Sequence, residues 1–266
     1  MYGNFTHVFF LIMKERNQAS YRRLVEMADE NGWTRMLGIK KVPHFSTIQK
    51  FLQRINKQVF RRMVRACAKL INAFKVDASI DGTGFSLTNP SAHYLKRING
   101  SMPKVPLKTS IIVDNKRRIV LNVDAHADNR HDNRDFLPLV KEIKNVLEKL
   151  KADKGYDAEV NIKYCRKNNI APQIPIKLWK QAFNGYGLKP RIGGKNRRWM
   201  YNNFDETEYH QRSIVESLFS AIKRTLGHAV HARQPKNQEK TAILKVLTYN
   251  IEVIGRQIKI VFYVIS

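Results

Sequence analysis

Cysteine is nearly absent from this chain, which contains Cys67 and Cys165 and no other cysteine among its 266 residues. Two thiols are too few for a disulfide framework or for a zinc site built on cysteine ligands. Such a low count is typical of a protein in a reducing compartment, and we expect a cytoplasmic location. Because 43% of the residues are hydrophobic, an ordinary buried core can stabilise the chain instead.

Long apolar runs are missing as well. The run FTHVFFLIM at residues 5–13 is too short to span a bilayer, and no basic segment precedes it as in a signal peptide. The C-terminal segment VIGRQIKIVFYVIS is interrupted by Arg256 and Lys259. The sequence therefore predicts no membrane-spanning segment.

Acidic residues are scarce relative to basic ones. The chain has 48 Lys and Arg against 22 Asp and Glu, which gives a net charge of +26 and an isoelectric point near 10.2. Such an excess of positive charge repels itself and attracts polyanions, so nucleic acid is the first partner to consider. An anionic membrane surface and the ribosome are the alternatives.

The basic residues are concentrated in one segment, residues 161–200. This segment contains ten Lys and Arg and no Asp or Glu. Five aromatic residues are interleaved with them: Tyr164, Trp179, Phe183, Tyr186 and Trp199. Cations mixed with aromatic rings suit a surface that contacts phosphates and stacks on bases, with Lys195, Arg197 and Arg198 as candidate DNA contacts. The simpler interpretation is a solvated basic surface.

The N-terminal region, residues 1–70, is predicted to be helical. ASYRRLVEMADENGW has apolar residues at helical spacing and ends at Asn31-Gly32, and in FSTIQKFLQRI Gln49 follows Ser46 in a capping-box pattern. Four basic residues lie nearby: Lys40, Lys41, Lys50 and Arg54. Two short helices around a turn are compatible with a helix-turn-helix that docks on DNA. A helical hairpin that only packs against the rest of the chain is the alternative.

From residue 71 onwards the pattern changes. FKVDASIDGTGFSL has the β-branched alternation of a strand, and LKTSIIVDNKRRIVLNVDAHA predicts two strands around a turn at Asp114-Asn115. RDFLPLVKEIKNVLEKL is predicted to be one amphipathic helix, followed by a short strand or strand end, a helix over about 156–168 and another strand at about 172–176. PKNQEKTAILKVLTYNIEVIGRQIKI is predicted to be the closing helix. We therefore expect one α/β domain over residues 71–266.

Three carboxylates are candidates for chemistry in this basic chain. Asp81 lies in SIDGTGF on a predicted buried strand, where a charge is costly unless it is paired or binds a cation. Asp153 lies in ADKGYD, where a strand gives way to a turn, and Glu216 lies on a polar helix stripe. Together they would make an all-oxygen site for two Mg²⁺ or Mn²⁺ ions, which assist the displacement of a phosphodiester.

Spacing alone leaves other ligands open. Asp77 lies four residues before Asp81 and therefore on the same face of the strand. His126 and His131 lie near acidic residues and could mimic metal ligands, although histidines in loops near a strand end are usually structural.

The segment YHQRSIVESLFSAIKR, residues 209–224, is predicted to form one amphipathic helix. At about 3.6 residues per turn, four polar residues fall within a sector roughly 60° wide: Tyr209, Arg212, Glu216 and Lys223. Such a stripe is commonly a solvated face with surface salt bridges. Beside a metal ion, Arg212 would clamp a DNA phosphate with two hydrogen bonds and Lys223 would supply a point charge. Tyr209 would stack or donate a hydrogen bond.

Taken together, these motifs resemble those of insertion-sequence DDE transposases. The spacing Tyr209-x2-Arg212-x3-Glu216-x6-Lys223 matches the Y-R-E-K signature of that family without a departure. IDGTGF looks like the family's first-aspartate strand, and ADKGYD looks like its second-aspartate motif. The segment from SYRRLVEM to FLQRI is similar to the family's N-terminal helical region, so the resemblance covers most of the chain. The chain departs from the family in starting almost directly in an apolar helix.

The resemblance implies an RNase H-like mixed sheet flanked by helices, in which the three candidate carboxylates bind two Mg²⁺ or Mn²⁺ ions. It implies hydrolysis at the ends of a mobile element, followed by attack of the freed 3′-hydroxyl on target DNA. The implied partners are terminal inverted repeats and target DNA, both double-stranded, bound by a homo-oligomer. Tyr209, Arg212 and Lys223 would position the DNA strand.

Two other functions compete with an active transposase. The first is a truncated or repurposed DNA-binding protein on the same scaffold that no longer catalyses, which the intact carboxylates and signature disfavour. The second is another RNase H-like nuclease, such as a junction or repair enzyme. That function would explain the carboxylates but not the spacing from Tyr209 to Lys223.

Overall fold

The fold is built on a five-stranded mixed sheet with the strand order β3-β2-β1-β4-β5. The strands are β1 (Val76–Phe85), β2 (Leu107–Asp114), β3 (Val120–His126), β4 (Leu147–Ala152) and β5 (Ala171–Gln173). The neighbours β1, β2 and β3 are antiparallel, whereas β4 is parallel to both β1 and β5. The computed structural model describes residues 2–71, 74–87, 107–128, 130–178 and 192–265, with side chains up to residue 257.

Helices flank the sheet and form the N-terminal region. Before the sheet come α1 (Asn4–Arg16), α2 (Tyr21–Glu30), α3 (Trp33–Met36), α4 (Phe45–Arg54) and α5 (Lys57–Ile71). After β3 come α6 (Asn133–Ile143), α7 (Glu159–Lys167), α8 (Lys195–Asn202), α9 (Glu206–Tyr209), α10 (Ser213–Leu226) and α11 (Pro235–Ile265). Short 3₁₀ turns lie at Lys144–Val146, Lys154–Tyr156 and His210–Arg212. The predicted class, a mixed α/β sheet flanked by helices and preceded by a helical region, is confirmed.

Capping contacts explain where two of the N-terminal helices begin. Ser20 caps α2 by accepting a hydrogen bond from Arg23 N at 3.2 Å, and the helix ends at Glu30, directly before the predicted stop. In α4 the capping-box prediction is wrong, because Ser46 lies inside the first turn. His44 is the capping residue instead, with its Nδ1 3.4 Å from Ser46 N. An imidazole nitrogen therefore takes the role that the serine hydroxyl was expected to play.

Two hydrophobic clusters cover the two faces of the sheet. The first includes Phe85, Ile111 and Val123 of the strands together with residues of α1, α4, α5, α10 and α11. The second includes Ile80 and Ile112 together with residues of α6 and α7. Neighbouring strand residues contribute to different clusters because side chains alternate along a strand. The N-terminal helices thus share a core with the sheet.

The predicted closing helix is α11, which has 31 residues. Leu244 and Leu247 are buried in the first cluster. The Asn250 side chain hydrogen-bonds the backbone N–H and C=O of Val120 at 2.9 and 2.8 Å, which holds the helix beside β3. Over the ranges that the structure describes, no helix has both the length and the hydropathy needed to cross a membrane.

Two helix predictions are wrong because part of each predicted helix adopts another secondary structure. The helix predicted from RDFLPLVKEIKNVLEKL ends at Ile143, and residues 147–152 form β4 between β1 and β5. Hydrogen bonds to two neighbouring strands outweigh the helical pattern of this short segment. The helix predicted to begin at Tyr209 begins instead at Ser213 as α10, after α9 and a 3₁₀ turn. The arginine and tyrosine of the predicted stripe therefore precede α10.

Candidate active site

Asp81 and Asp153 lie side by side on neighbouring parallel strands. Ile80 of β1 is the register partner of Ala152 of β4. Asp81 directly follows Ile80, and Asp153 directly follows Ala152. Because the pair is parallel, the two aspartates are carried in the same direction to neighbouring positions. Asp153 directly follows the carboxyl end of β4, and its Oδ1 accepts a hydrogen bond from Lys154 N at 2.5 Å.

Glu216 reaches the same region from α10. Val215, Leu218 and Ile222 of this helix are buried in the cluster on the first face of the sheet, whereas Glu216 is exposed. A cavity of about 530 Å³ lies between α10 and β1. Its lining includes Asp81 and Thr83 from β1, and Glu216, Lys223 and Arg224 from α10. The helix therefore presents acidic and basic side chains to the strand that carries the first aspartate.

Arg212 bridges two of the carboxylates. Its Nη1 lies 3.0 Å from Asp81 Oδ2 and its Nη2 lies 2.5 Å from Glu216 Oε1. The guanidinium carbon also lies 5.8 Å from the centre of the Tyr209 ring. The side chain of Arg212 is only 19% exposed, so these charge-assisted hydrogen bonds are partly shielded from water. Arg212 precedes α10, but it lies four residues before Glu216, which is the spacing of one helical turn.

Lys223 occupies the other end of the cavity. Its Nζ donates a hydrogen bond to Thr83 Oγ1 at 2.7 Å and lies 5.6 Å from the centre of the Phe85 ring. Burial lowers the pKa of Lys223 from its ordinary value of 10.5. Thr83 follows Asp81 on the same face of β1, because side chains alternate along a strand. The lysine thus adds positive charge two strand positions beyond the first aspartate.

The three carboxylates influence one another electrostatically. Burial raises the pKa of Asp81 above its ordinary value of 3.8, and the charges of Asp153 and Glu216 raise it further. A hydrogen bond from Gly82 N at 2.8 Å and the charge of Arg212 act in the opposite direction. Three mutually repelling carboxylates in a partly buried site are stabilised by any cation that enters between them.

The donor atoms fit a hard divalent cation, although they do not yet enclose one. In the described part of the chain, no three Asp, Glu, His or Cys side chains already form a group that could hold a metal ion. The guanidinium of Arg212 is instead a cation that contacts both Asp81 and Glu216. These two carboxylates already face a single positive group, and their oxygen donors are of the kind that a hard divalent cation prefers.

The alternative metal ligands considered from the sequence, Asp77, His126 and His131, have other partners. Asp77 binds the ammonium group of Lys151 and accepts a hydrogen bond from Asn115 Nδ2 at 3.0 Å. His126 lies on the second face of the sheet, 3.6 Å from Asp124 and 3.5 Å from Asp135.

Burial lowers the pKa of the His126 imidazole. His131 lines a neighbouring cavity of about 340 Å³ with Lys108 and Asp132, which form an ion pair of 2.5 Å. This cavity shares Gly82 and Thr83 with the cavity between α10 and β1. These contacts favour structural roles for the alternative ligands.

The basic segment is described only in part, because residues 179–191 lie outside the described ranges. Trp179, Phe183 and Tyr186 fall in that gap, so their expected stacking role is not addressed. Arg197 forms an ion pair with Asp157 at 2.8 Å, which favours a structural role. Lys195 and Arg198 are exposed on α8 and remain candidate DNA contacts.

Sequence reasoning missed the polar residues that lie under the site. Lys151 is completely buried on β4, and its Nζ contacts Gln211 Oε1 at 3.0 Å in addition to Asp77. Lys149 forms an ion pair with Glu208 of α9. The signal that could have revealed them is the alternation of Lys149, Lys151 and Asp153, which is typical of a strand. Interpreting this segment as a helix hides that alternation.

Comparison with known families identifies the chain. A family model described as transposase DDE domain matches residues 72–251, which is more than half of the 266 residues. The matched range runs from β1 into α11 and includes all three candidate carboxylates. Among curated proteins, none matches this chain. From its fold and from the extent of the family match, the chain belongs to the family of DDE transposases.

Proposed function

We propose that the chain is an active transposase that cleaves DNA strands at the ends of a mobile element and transfers the freed 3′-hydroxyl into target DNA. The observation that carries the proposal is the bridging of Asp81 and Glu216 by Arg212, beside Asp153 and a cavity with basic residues. In a family member, this arrangement combines acidic ligands with cations suited to a phosphate.

The three carboxylates would hold the metal ions. Asp81, Asp153 and Glu216 offer only oxygen donors, which suit two Mg²⁺ or Mn²⁺ ions. When bound, such ions activate the attacking oxygen and stabilise the leaving oxygen of a phosphodiester. The protein contributes by burying Asp81 in part and by keeping it close to the charges of the other two carboxylates.

The cationic side chains would bind the DNA strand. Arg212 can exchange its carboxylate partners for the two oxygens of a phosphate, because a guanidinium binds either group through two parallel hydrogen bonds. That exchange frees Asp81 and Glu216 as DNA arrives. Lys223 holds a second phosphate by its charge, and Tyr209 keeps the guanidinium plane in place. Substrate binding and ligand release are thereby coupled.

The helical region of residues 1–70 would recognise the element ends, and residues 71–266 would perform the chemistry. α4 exposes Gln49, Lys50, Gln53 and Arg54 along its last six residues. Amide side chains suit base edges and cations suit phosphates. Beside them lies a cavity of about 460 Å³ whose lining includes Gln49, Gln53 and Arg233. This surface is the best candidate for a duplex with terminal inverted repeats.

Assembly on DNA is part of the proposal. Terminal inverted repeats present two equivalent ends, and a symmetric homo-oligomer would bind both of them together. The protein would therefore work as a DNA-associated complex, and the same complex would bind target DNA. Lys195 and Arg198 extend the cationic surface available to either DNA.

The test is nicking of a supercoiled plasmid that carries the element's own ends, with Mg²⁺ or Mn²⁺. We expect nicks that map to those ends in the wild type and none with Glu216→Gln, because the variant loses an anionic ligand. Glu206→Gln, at an exposed glutamate of α9, is the matched control and should cleave normally. A wild type that binds the ends tightly and never cuts would instead establish a catalytically inactive DNA-binding derivative.

A further inference from the structure

Lys151 is a charged residue without any exposure to solvent. Its side chain is 0% exposed on β4, and its Nζ forms an ion pair with Asp77 and a hydrogen bond to Gln211 Oε1 of 3.0 Å. A lysine in such a position is costly unless its partners satisfy the ammonium group. The two partners come from different elements, so this lysine connects parts of the chain that are far apart in sequence.

Lys151 connects the two strands that lead to Asp81 and Asp153 with the turn that precedes the helix of Glu216. Lys151 lies two residues before Asp153, with its side chain on the same side of that strand path. Asp77 precedes Asp81 on the same face of β1. Gln211 directly precedes Arg212, the residue that contacts Asp81 and Glu216. One buried ammonium group thus contacts β1 and the turn before α10 while belonging to β4.

We propose that Lys151 is a positioning residue, which acts through Gln211 to hold Arg212 against Asp81. The inference rests on the proposed function, since it assigns to Lys151 the alignment of that same site. It requires no contact between Lys151 and DNA or metal. Its effect is to fix where α10 begins relative to β1 and β4.

The local structure explains why such a contact is needed. Residues His210–Arg212 form a single 3₁₀ turn, whose hydrogen bonds are weaker than those of an α-helix. The turn joins α9, which Asp205 caps by accepting a hydrogen bond from Glu208 N at 3.0 Å, to α10, and neither the turn nor α10 has a side-chain cap of its own. Side-chain contacts such as the one between Lys151 and Gln211 add to the weaker backbone hydrogen bonds that hold this turn.

Neighbouring contacts fix the partners of Lys151. Asn115 Nδ2 donates to Asp77 Oδ1 at 3.0 Å, so this carboxylate is held on both of its oxygens. Lys149 forms an ion pair with Glu208 one turn before Gln211. Lys149 and Lys151 thus contact successive parts of residues 206–211, and the buried Lys151 contacts the residue next to Arg212.

The test uses Gln211, because this residue is exposed and its substitution does not threaten the fold. Gln211→Ala removes the acceptor of the Lys151 hydrogen bond, whereas Gln211→Glu keeps an acceptor at the same reach. Glu206→Ala, at an exposed position in the same segment, is the control. Three quantities are measured for each full-length protein: hydrogen exchange of residues 206–216, single-turnover nicking of a plasmid with the element's ends, and the Kd for those ends.

We expect Gln211→Ala to accelerate exchange in residues 206–216 and to slow nicking by about 10- to 100-fold, because small displacements of reacting groups have effects of that size. The Kd should stay at its wild-type value. Gln211→Glu should restore both exchange and nicking to within about threefold of wild type, and Glu206→Ala should change neither.

Several results would overturn the inference. Unchanged exchange in Gln211→Ala would show that the contact does not hold the turn. Slower nicking with unchanged exchange would instead assign Gln211 a direct contact with DNA. Equal defects in Gln211→Ala and Gln211→Glu would exclude the acceptor as the cause. If the wild type never nicks but exchange responds as expected, the proposed function fails while the positioning contact stands.

Discussion

The guanidinium of Arg212 lies 3.0 Å from the carboxylate of Asp81, although 131 positions separate the two residues in sequence. The same guanidinium contacts Glu216 at 2.5 Å, so one arginine joins β1 to the start of α10. Without DNA, these two carboxylates are already neutralised in part by the protein's own cation. If these carboxylates hold metal ions as proposed, the ions would compete with Arg212, and a DNA phosphate would relieve that competition by binding the guanidinium.

Arg212→Gln should bind Mn²⁺ more tightly than the wild type in the absence of DNA. Removal of the guanidinium frees Asp81 and Glu216, and we expect a gain of about tenfold in affinity, equivalent to about 1.4 kcal/mol. Titration calorimetry with Mn²⁺ measures this directly. The same variant should cleave DNA poorly, because it lacks the phosphate clamp.

The matched control for Arg212→Gln is Arg23→Gln. Arg23 also bridges two glutamates, Glu26 at 3.1 Å and Glu30 at 2.9 Å, on exposed α2. The Arg23→Gln variant therefore removes the same positive charge from a similar pair of acidic partners away from the site. An equal gain in Mn²⁺ affinity in both variants would attribute the effect to net charge and would contradict competition at the site.

Asp81→Asn should stabilise the metal-free protein at neutral pH. Because the pKa of Asp81 is raised in the fold, its contribution to stability is fully present below about pH 3.9, the unfolded value. That contribution is lost as the pH rises through the folded pKa, where a partly buried carboxylate must ionise near Asp153 and Glu216. Asparagine removes this cost.

Thermal melting from pH 3.5 to pH 7.5 without metal tests the prediction. The midpoint of Asp81→Asn should exceed that of the wild type at pH 7 by about 2–4 °C for each kcal/mol of cost removed, and the difference should vanish at the acidic end. Added Mn²⁺ should raise the wild-type midpoint and leave the variant unchanged. A variant that is less stable than wild type at pH 7 would show that the contact with Arg212 outweighs burial.

Asp153→Asn should abolish strand cleavage and leave DNA binding intact or slightly stronger. The substitution removes one anionic ligand beside Asp81 and leaves the basic side chains untouched. Binding to a labelled duplex with the element's ends and nicking of the matching plasmid separate the two effects. Joint loss of binding and of the folded state would assign Asp153 a structural role.

The sequence shows positions along a single element better than contacts between elements. Strand alternation places Asp81 on β1, and the residues of α10 that pack on the sheet, Val215, Leu218 and Ile222, have the apolar spacing of an amphipathic helix. The same pattern wrongly extended that helix back to Tyr209. The contact that Lys151 makes with the turn before α10 comes from β4, a segment whose sequence pattern favours a helix.

Long-range pairing explains these failures physically. The segment of β4 is short, and its apolar residues suit either period, so the parallel pairing with β1 and β5 decides its structure. The role of Lys151 follows only once β4 is a strand, because its partners come from β1 and from the turn before α10. A helical wheel cannot represent such contacts.

Ile222→Ala should weaken the attachment of α10 to the sheet. Ile222 is completely buried, and replacement of such a side chain by alanine costs about 2–5 kcal/mol. Urea unfolding measures this loss of stability. Ser217→Ala, at an exposed position of the same helix, should change the unfolding free energy by less than about 0.5 kcal/mol. Similar effects of the two variants would contradict the packing of this face on the sheet.

Lys50→Ala and Arg54→Ala should each reduce the salt dependence of DNA binding. Every phosphate contact contributes about −0.9 to the slope of log K against log salt, so each variant should make the slope shallower by about that amount. Gln49→Ala should instead leave the slope unchanged and reduce the preference for the element's ends over random DNA, because amide side chains read base edges. Fluorescence anisotropy at several salt concentrations measures both quantities.

The control for the α4 variants is Lys144→Ala, which removes an exposed cation from the 3₁₀ turn after α6. Because net charge falls by one in all three lysine and arginine variants, a difference in slope between them reports position and not total charge. If Lys144→Ala flattens the slope as much as Lys50→Ala does, then DNA follows the overall positive field of the protein, and α4 is not the surface that holds the element's ends.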